Sequence, residues 1–168
     1  MDAIGLYSRE GNGPVVTKED QMHCGHGIRK WDSIETLYSF ISMSESSYPF
    51  ILQPFVKQFT DLRVIIAGDY IEAYARDNPD NFRMNLAAGG SSRPVDLSSD
   101  KEKFCRAVME RGKFPYAHID IMVASNGKYY LSEIALNGGI KGARIGRTEL
   151  EQRKQEITDR MVREYEKK

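Results

Sequence analysis

The stretch that decides the fold comprises residues 116–123 (YAHIDIMV) and 128–139 (KYYLSEIALNGG), which flank a turn at residues 125–127 (SNG). An Asn-Gly pair between β-branched and aromatic runs is the strongest short-range signal for a β-hairpin. Each run carries one acid among apolar neighbours, Asp120 in the first and Glu133 in the second. Antiparallel pairing across this turn predicts two carboxylates side by side.

Two interpretations of this acid pair remain open at the level of sequence. A buried carboxylate costs free energy unless it is paired or holds a metal, and a divalent cation removes the repulsion between two neighbouring carboxylates. Oxygen ligands favour Mg²⁺ or Mn²⁺ over softer metals. In the other interpretation, both acids lie on edge strands and face water.

The composition restricts the classes of protein to which the chain can belong. Its 168 residues suffice for one domain or two small lobes with a hydrophobic core. The 24 basic and 24 acidic residues balance, so no net charge favours nucleic acid or a membrane surface as a partner. Two cysteines, Cys24 and Cys105, give neither a disulfide framework nor a metal motif, which indicates free thiols in a reducing cytoplasm. No apolar run approaches the ~20 residues of a membrane span, and no signal-peptide pattern begins the chain.

The first third of the chain predicts a strand, a glycine loop, a helix and a second strand. Residues 14–18 (PVVTK) form a short β-branched strand ending in Lys18. Gly25 and Gly27 indicate either a loop whose backbone could approach a phosphate or a plain hairpin turn. Asp32 or Ser33 caps a helix to about residue 43. The apolar positions on one face of that helix are Ile34, Leu37, Tyr38 and Ile41.

Residues 44–48 are predicted to form a turn, and residues 49–56 form an apolar strand. Pro54 has no N–H to donate, so this strand must lie at an edge or end there. Residues 61–76 predict a second hairpin with its turn at Gly68-Asp69, and they place Arg63 and Arg76 on strands. Residues 77–90 lack periodicity and predict a long loop, which in compact domains is usually functional.

The remaining segments predict two helices. Capping boxes at Ser99–Glu102 and Thr148–Glu151 are expected to begin them, the first helix running to about Arg111. The terminal helix has an apolar stripe formed by Leu150, Ile157, Met161 and Tyr165.

Taken in chain order, these segments resemble the ATP-grasp superfamily, and most of all its RimK-like ligase branch, over roughly residues 13–145. The order and spacing of the motifs make the resemblance strong. The matching motifs are the strand ending in Lys18, the glycine loop Gly25-His-Gly27-Ile28, the hinge at residues 50–56 (FILQPFV), Asp61-Leu-Arg63, residues 82–86 (FRMNL) with Gly89-Gly90, and the hairpin carrying Asp120 and Glu133.

The resemblance implies an α+β fold of the ATP-grasp type, with two lobes, each with an antiparallel sheet and helices, and a nucleotide cleft between them. Residues 1–56 would form the smaller lobe with the phosphate loop and hinge strand, incomplete at its N-terminus. Residues 57–168 would form the larger lobe with the metal-binding hairpin and the C-terminal helix. Because family members usually carry a substrate-binding domain before this region, the chain is expected to be a C-terminal fragment missing that N-terminal domain.

The implied activity is that of a cytoplasmic, ATP- and Mg²⁺- (or Mn²⁺-) dependent ligase. It would activate a small carboxylate as an acyl phosphate for attack by an amine, an amino acid or a peptide end being possible substrates. Two alternatives stay open: a nucleotide-binding module without ligase activity, and an ATP-grasp kinase acting on another acceptor.

The resemblance also implies roles for individual residues. Arg83 would clamp the transferred phosphoryl group or the substrate carboxylate, and Asn85 would bind metal or phosphate. The metal ligands would be Asp120, Glu133 and Asn137. The nucleotide contacts would come from Lys18, Gly25, Gly27, Gln53, Pro54, Phe55, Val56, Asp61, Arg63, Arg76, Arg83 and Asn85.

The chain departs from the family pattern at three places. Ala135 stands where the family's Glu-x-Asn metal motif has its Asn, so Asn137, two residues on, is a ligand only if the backbone shifts. Pro54 replaces a frequent hinge Glu, and Met22-His23 replaces the usual Gly-Ser of the phosphate loop.

Simpler roles remain open for several of these residues. The two strand arginines could be ordinary ion-pair partners, and Lys18 could be a solvated strand end. The three histidines, at positions 23, 26 and 118, are expected to be structural or at the surface.

Overall fold

The computed structural model describes residues 13–20, 22, 25–43 and 49–167. The turn predicted at residues 44–48, and His23 and Cys24, lie outside this part of the chain. The chain divides into two compact units, Met1–Lys57 and Gln58–Lys168. Within the described residues, the first unit has an antiparallel sheet and one α-helix and the second has an antiparallel sheet and two α-helices, which confirms the predicted α+β class.

The first unit contains a three-stranded antiparallel sheet in the order β2-β1-β3, formed by β1 (Val15–Glu19), β2 (Ile28–Trp31) and β3 (Phe50–Pro54). Pro54 is the last residue of the edge strand β3, as its missing N–H predicts. Helix α1 (Ile34–Ser42) begins where predicted, because the Ser33 hydroxyl accepts a hydrogen bond from the Thr36 backbone N–H at 3.1 Å. Of its predicted apolar face, Leu37 is buried but Tyr38 is exposed.

The second unit contains a five-stranded antiparallel sheet in the order β6-β5-β4-β7-β8. Its strands are β4 (Phe59–Ala67), β5 (Tyr70–Asp77), β6 (Ser91–Val95), β7 (Tyr116–Ala124) and β8 (Tyr129–Ala135). Both predicted hairpins, β4–β5 and β7–β8, are confirmed. The predicted long loop between β5 and β6 contains a short 3₁₀ turn at Leu86–Ala88.

The two predicted capping boxes are wrong, although both helices exist. Helix α2 (Ser99–Gly112) is capped by Ser98, and helix α3 (Arg147–Tyr165) by Gly146, in neither case through a side-chain hydrogen bond to the backbone. The Ser98 hydroxyl instead accepts from the Lys101 ammonium at 3.2 Å. Among the helices of the described residues, none has the length and apolar character needed to cross a membrane.

One face of the five-stranded sheet packs against α2 and forms the larger hydrophobic core. Because successive strand residues point to opposite faces, alternate positions of β4, β5 and β7 supply this face. Cys105 and Met109 of α2 complete the core. Its buried strand residues are Leu62, Val64, Ile66, Ala73, Ala75, Ala117, Ile119 and Ile121.

The opposite face of the same sheet is apolar at one end only. There Ile65 and Tyr74 pack against Leu150 and Ile157 of α3. The predicted stripe of α3 is therefore confirmed for Leu150 and Ile157. It is wrong for Met161 and Tyr165, which are exposed. The remainder of this face is polar and carries the candidate site.

Candidate functional site

Five charged side chains lie together on the polar face of the five-stranded sheet. Asp120 on β7 is the direct cross-strand partner of Glu133 on β8 and of Arg63 on β4, and Asp61 on β4 is the partner of Arg76 on β5. Directly paired antiparallel residues point to the same face, so the prediction that the two acids lie side by side is confirmed. We call these residues the polar cluster: Asp61, Arg63, Arg76, Asp120 and Glu133.

Short ion pairs connect four of the five members of the polar cluster, Asp61, Arg63, Arg76 and Asp120. Arg63 binds Asp120 with two parallel hydrogen bonds, Nε to Oδ1 and Nη2 to Oδ2, both 2.7 Å. Arg76 donates from Nη2 to Asp120 Oδ2 at 2.8 Å and from Nε to Asp61 Oδ2 at 2.6 Å. Such charge-assisted and bidentate bonds are the strong ones in proteins. The simpler role of the two arginines as ion-pair partners is thus present in this structure.

The environment shifts the pKa values of the two buried acids in opposite directions. Burial alone would raise the pKa of Asp120, but the hydrogen bonds and charges of Arg63 and Arg76 outweigh burial and lower it. At Asp61, burial outweighs the stabilising effect of Arg76, and its pKa is raised. Neighbouring carboxyl groups with divergent proton affinities are typical of functional sites.

The two predicted metal ligands differ in burial. Asp120 is only 4% exposed, because β7 lies inside the sheet. Glu133 is exposed, because β8 is the edge strand. The prediction of two buried acids is therefore wrong for Glu133, which fits the alternative of an edge-strand acid facing water, and right for Asp120.

The oxygen atoms of these two acids fit a hard divalent cation. Asp120 accepts three arginine hydrogen bonds and so keeps one of its about four lone-pair positions. Carboxylate oxygen is the donor type that Mg²⁺ prefers. Within the described ranges, no group of three or more His, Cys, Asp or Glu residues is arranged to hold a metal, so the chain supplies fewer ligands here than a dedicated protein cage.

Asn137 lies in a loop that follows β8, and its side chain is already engaged. Its Oδ1 accepts a hydrogen bond from the Lys154 ammonium at 2.9 Å. Two residues on, the Gly139 carbonyl accepts from the Tyr74 hydroxyl at 2.7 Å and from Arg63 Nη1 at 3.4 Å. We call residues 136–139 the Gly-Gly loop. A metal role for Asn137 requires its contact with Lys154 to open.

Arg83 and Asn85 lie in the loop between β5 and β6, six and eight residues after the end of β5, the strand that carries Arg76. Asn78 organises this loop, since its Nδ2 donates to the Arg83 carbonyl at 3.0 Å and to the Ala88 carbonyl at 2.9 Å. A Cβ at Gly90 would lie 2.7 Å from the Met84 carbonyl oxygen, so only glycine fits there. The Arg83 guanidinium stacks 4.3 Å from the centre of the Phe82 ring.

In the first unit, the glycine loop lies between β1 and β2, which pair as antiparallel strands. Gly25 and Gly27 have φ values of 79° and 73°, which non-glycine residues rarely adopt. Lys18 is paired across the sheet with Ile28 and Ile51, next to the loop that closes this hairpin. The phosphate-binding role of the loop remains a prediction.

The predicted adenine hinge is formed by the end of β3 and the residues after it. Gln53 and Pro54 pair with β1, and Val56 follows the strand. The Phe55 backbone N–H donates to the Pro14 carbonyl at 2.9 Å, so neither Phe55 nor Pro54 offers a donor in this arrangement. The Phe55 ring lies 4.7 Å from the Lys30 ammonium.

Sequence reasoning missed two residues that contact the site, Tyr74 and Lys154, and it did not connect a third, His118, with the site. Tyr74 is the cross-strand partner of Arg63, and counting back from the Gly68-Asp69 turn would have found it. Lys154 lies on the apolar stripe of α3 between Leu150 and Ile157. It was missed because a charged side chain is not expected to be buried on such a stripe. His118, which was expected to be structural or at the surface, is buried two residues before Asp120 on β7.

Comparison with known proteins gives curated relatives that are ligases. The chain is 30% identical over 147 residues to the coenzyme gamma-F420-2:alpha-L-glutamate ligase of Methanococcus maripaludis, covering 83% of this chain and 50% of that protein. It is 27% identical over 135 residues to the alpha-aminoadipate–LysW ligase LysX of Saccharolobus solfataricus, covering 76% of this chain and 49% of that protein. The chain thus spans about half the length of the curated relatives it matches.

Solved structures establish the fold. D-cycloserine synthetase DcsG matches with a TM-score of 0.66 at 15% identity, over 95% of this chain and 61% of that one. The ATP-grasp ligase PsnB, in complex with a minimal precursor, Mg and ADP, matches with a TM-score of 0.66 at 16% identity, over 90% of this chain and 50% of that one. The RimK-like ATP-grasp domain matches residues 4–157. The resemblance drawn from motif order is therefore confirmed, and the chain belongs to the RimK-like ATP-grasp family.

Proposed function

We propose that the chain is the nucleotide-binding and carboxylate-activating part of an ATP-dependent ligase that forms a C–N bond. The observation that carries this proposal is the family match over residues 4–157. The names of both curated relatives given above contain an amino acid as a substrate. An amino acid or a peptide end is therefore the substrate class we propose.

The reaction has two steps. A carboxylate oxygen of the substrate attacks the γ-phosphorus of ATP, which forms an acyl phosphate and releases ADP. The amine then attacks the carbonyl carbon, phosphate leaves with the electron pair of the broken C–O bond, and the amine nitrogen loses a proton. Both steps move negative charge among phosphate oxygens, so catalysis depends on positioning and on positive charge held in place.

The polar cluster supplies positive charge on two guanidinium groups whose orientations are already fixed by ion pairs. Asp120 holds Arg63 through two bonds and Arg76 through one, and Asp61 holds Arg76 through another. These guanidinium groups carry donors beyond those bonds, because each has five N–H groups. We infer that they bind phosphate oxygens without reorganising, while Arg83 and Asn85, on a loop, contact the transferred phosphoryl group and the substrate carboxylate.

A divalent cation would be held by Asp120 and Glu133, and when bound it would neutralise charge on the phosphate oxygens. In the first unit, Lys18 would pair with phosphate as a point charge, and Gly25 and Gly27 would let the backbone of their loop approach it. Residues 53–56 would hold the adenine. The division into a smaller lobe of residues 1–56 and a larger lobe of residues 57–168 is part of this proposal.

Calorimetric titration with Mg-ATP tests nucleotide binding. The Asp120→Asn/Glu133→Gln variant should bind at least about tenfold more weakly than wild type, because two oxygen ligands lose their charge. Glu102→Gln is the matched control, since Glu102 lies on α2, which packs on the other face of the sheet. Equal binding by wild type and the double variant would refute the metal assignment.

A second candidate function is nucleotide binding without ligation. It is favoured by Ala135 at the position of the motif Asn and by the engagement of Asn137 with Lys154. Offering pairs of amino acids with Mg-ATP separates the possibilities. ADP together with an amide product supports the ligase, nucleotide binding without ADP release supports the binding module, and a phosphorylated acceptor without amide identifies a kinase.

A further inference from the structure

Lys154 is an unusual residue because its ammonium group points into the protein. Its side chain is on α3 among Leu150 and Ile157, and the residue is 5% exposed. Lysines on helix surfaces normally extend the ammonium into water, and they are almost never fully buried unless they are paired. The ammonium of Lys154 instead binds Asn137 Oδ1 at 2.9 Å and Glu151 Oε1 at 3.2 Å.

The Gly-Gly loop is thereby held at two points separated by one residue. Lys154 holds the Asn137 side chain, and Tyr74 and Arg63 hold the Gly139 carbonyl. Between them, Gly138 packs so closely on His118 that an added Cβ would lie 2.9 Å from the ring Nδ1. With both flanking residues held, the path of the loop beside the polar cluster is fixed, and Arg63 links the loop directly to Asp120.

The same contact makes Asn137 a poor ligand for a divalent cation. Its side-chain oxygen, the only atom of the amide group that a hard cation binds, already uses one of its two lone pairs to accept from an ammonium group. A divalent cation at that oxygen would lie within a few ångströms of the positive charge of Lys154, and the neutral amide, unlike the carboxylate of Asp120, brings no negative charge to offset the repulsion. Ala135, at the position of the motif Asn, has no side-chain oxygen at all.

We propose that Lys154 is a positioning residue that holds the Gly-Gly loop through Asn137, and that Asn137 serves helix α3 rather than the divalent cation. This inference rests on the proposed function for the existence of a cation site at Asp120 and Glu133. It assigns to the C-terminal helix a direct role in the shape of that site.

Mn²⁺ binding, followed by electron paramagnetic resonance with a non-hydrolysable ATP analogue, tests the role of Asn137. Asn137→Ala should keep Mn²⁺ affinity within about twofold of wild type. Asp120→Asn and Glu133→Gln should each lose about tenfold or more, the usual loss for a disturbed metal site. A tenfold loss in Asn137→Ala would overturn the proposal.

Hydrogen exchange tests the positioning by Lys154, without nucleotide or metal. Lys154→Met keeps the aliphatic stem and removes the charge, so it should speed exchange of the loop amides about tenfold, and Asn137→Ala should do the same. Because both remove one contact, the double variant should exchange no faster than either single variant. Asn137→Asp, which still accepts from Lys154, should keep the protection.

Lys103→Met is the control, because Lys103 is an exposed lysine on α2 that pairs with Asp100 at 3.7 Å. It should leave the Gly-Gly loop unchanged. Additive effects of Lys154→Met and Asn137→Ala, or unchanged exchange in either, would overturn the positioning role. If Asp120→Asn and Glu133→Gln bind Mn²⁺ as wild type does, the proposed function fails, whereas the exchange results still decide the role of Lys154.

Discussion

The two faces of the five-stranded sheet are made by the same strands and obey different physical rules. A step of one residue along β4 and β7 replaces the fully buried pair Val64 and Ile119 by the ion pair Arg63 and Asp120. The first face buries apolar surface against α2, which stabilises the fold at roughly 25 cal/mol per Å². The second face removes charges from water, which costs free energy that ion pairing only partly offsets. A face that does not stabilise the fold efficiently is where function is expected.

Among the substitutions that test this difference between the two faces, Asp120→Ala should cause the largest loss of stability. The substitution leaves Arg63 without its bidentate partner and Arg76 with Asp61 alone, and removing one member of a buried ion pair typically costs about 3–5 kcal/mol. Hydrogen exchange of the β7 amides measures the loss, because Trp31, the one tryptophan, lies in the other unit.

Glu133→Ala is the matched control on the neighbouring strand. Its exposed carboxylate should cost less than about 0.5 kcal/mol. The double variant Arg63→Met/Asp120→Leu removes both charges together and leaves Arg76 paired with Asp61. It should lose much less stability than Asp120→Ala alone, because no charge remains buried without a partner. If the double variant is the less stable of the two, the polar face stabilises the fold after all.

The sequence predicted strands that contain an apolar run better than short polar edge strands. The β4–β5 and β7–β8 hairpins were found because their turns and apolar runs carry strong local signals. Strands β2 and β6 were missed because they are short edge strands whose sequences, IRKW and SSRPV, have no apolar run. Pro94 in β6 argues against a central strand but is allowed at an edge, where its missing N–H faces away from the ladder.

At the candidate site, too, the sequence predicted the contacts that depend on a local turn and missed those between distant strands. The adjacency of Asp120 and Glu133 followed from the turn, but the arginine partners of Asp120 come from strands 57 and 44 residues away in sequence. No local pattern encodes such pairing, because cross-strand partners depend on the order of strands in the sheet. Lys154 was missed for a related reason, since a charged residue on an apolar stripe is ordinarily solvated.

His118 makes the contribution of the polar face to stability depend on pH, because it is buried there in its uncharged form. It is 2% exposed, and burial, together with the charges of Lys154 and Arg63, lowers its pKa to about 4. In an unfolded chain its pKa is about 6.5, so between these values the unfolded state binds more protons. Stability should therefore be complete above about pH 6.5 and fall as the pH is lowered towards 4, by about 2–3 kcal/mol from this group.

Comparing wild type with His118→Gln measures this contribution. The difference between their free energies of unfolding should be constant above about pH 7 and shift in favour of the variant as the pH approaches 4, since glutamine does not titrate in this range. Contributions from the carboxylates occur in both proteins and cancel. Parallel pH profiles for the two proteins would mean that His118 is protonated in the folded state as readily as in the unfolded chain.

The smallest effect should come from an ion pair of the same chemistry placed in water. Arg106 Nε binds Glu102 Oε1 at 2.8 Å on α2, about as short as the Arg63–Asp120 bonds, but both side chains are more than a third exposed. A double-mutant cycle with Glu102→Gln and Arg106→Gln should give a coupling energy of about 0.3–0.5 kcal/mol, because water screens the charges. The cycle also separates this coupling from the favourable effect of Glu102 on the N-terminus of the helix. At about 1 M salt, where the screening length is roughly 3 Å, the coupling should vanish. A coupling energy that matches the Arg63–Asp120 pair would show that burial is not what distinguishes the polar cluster, and the contrast between the two environments would then have to rest on geometry alone.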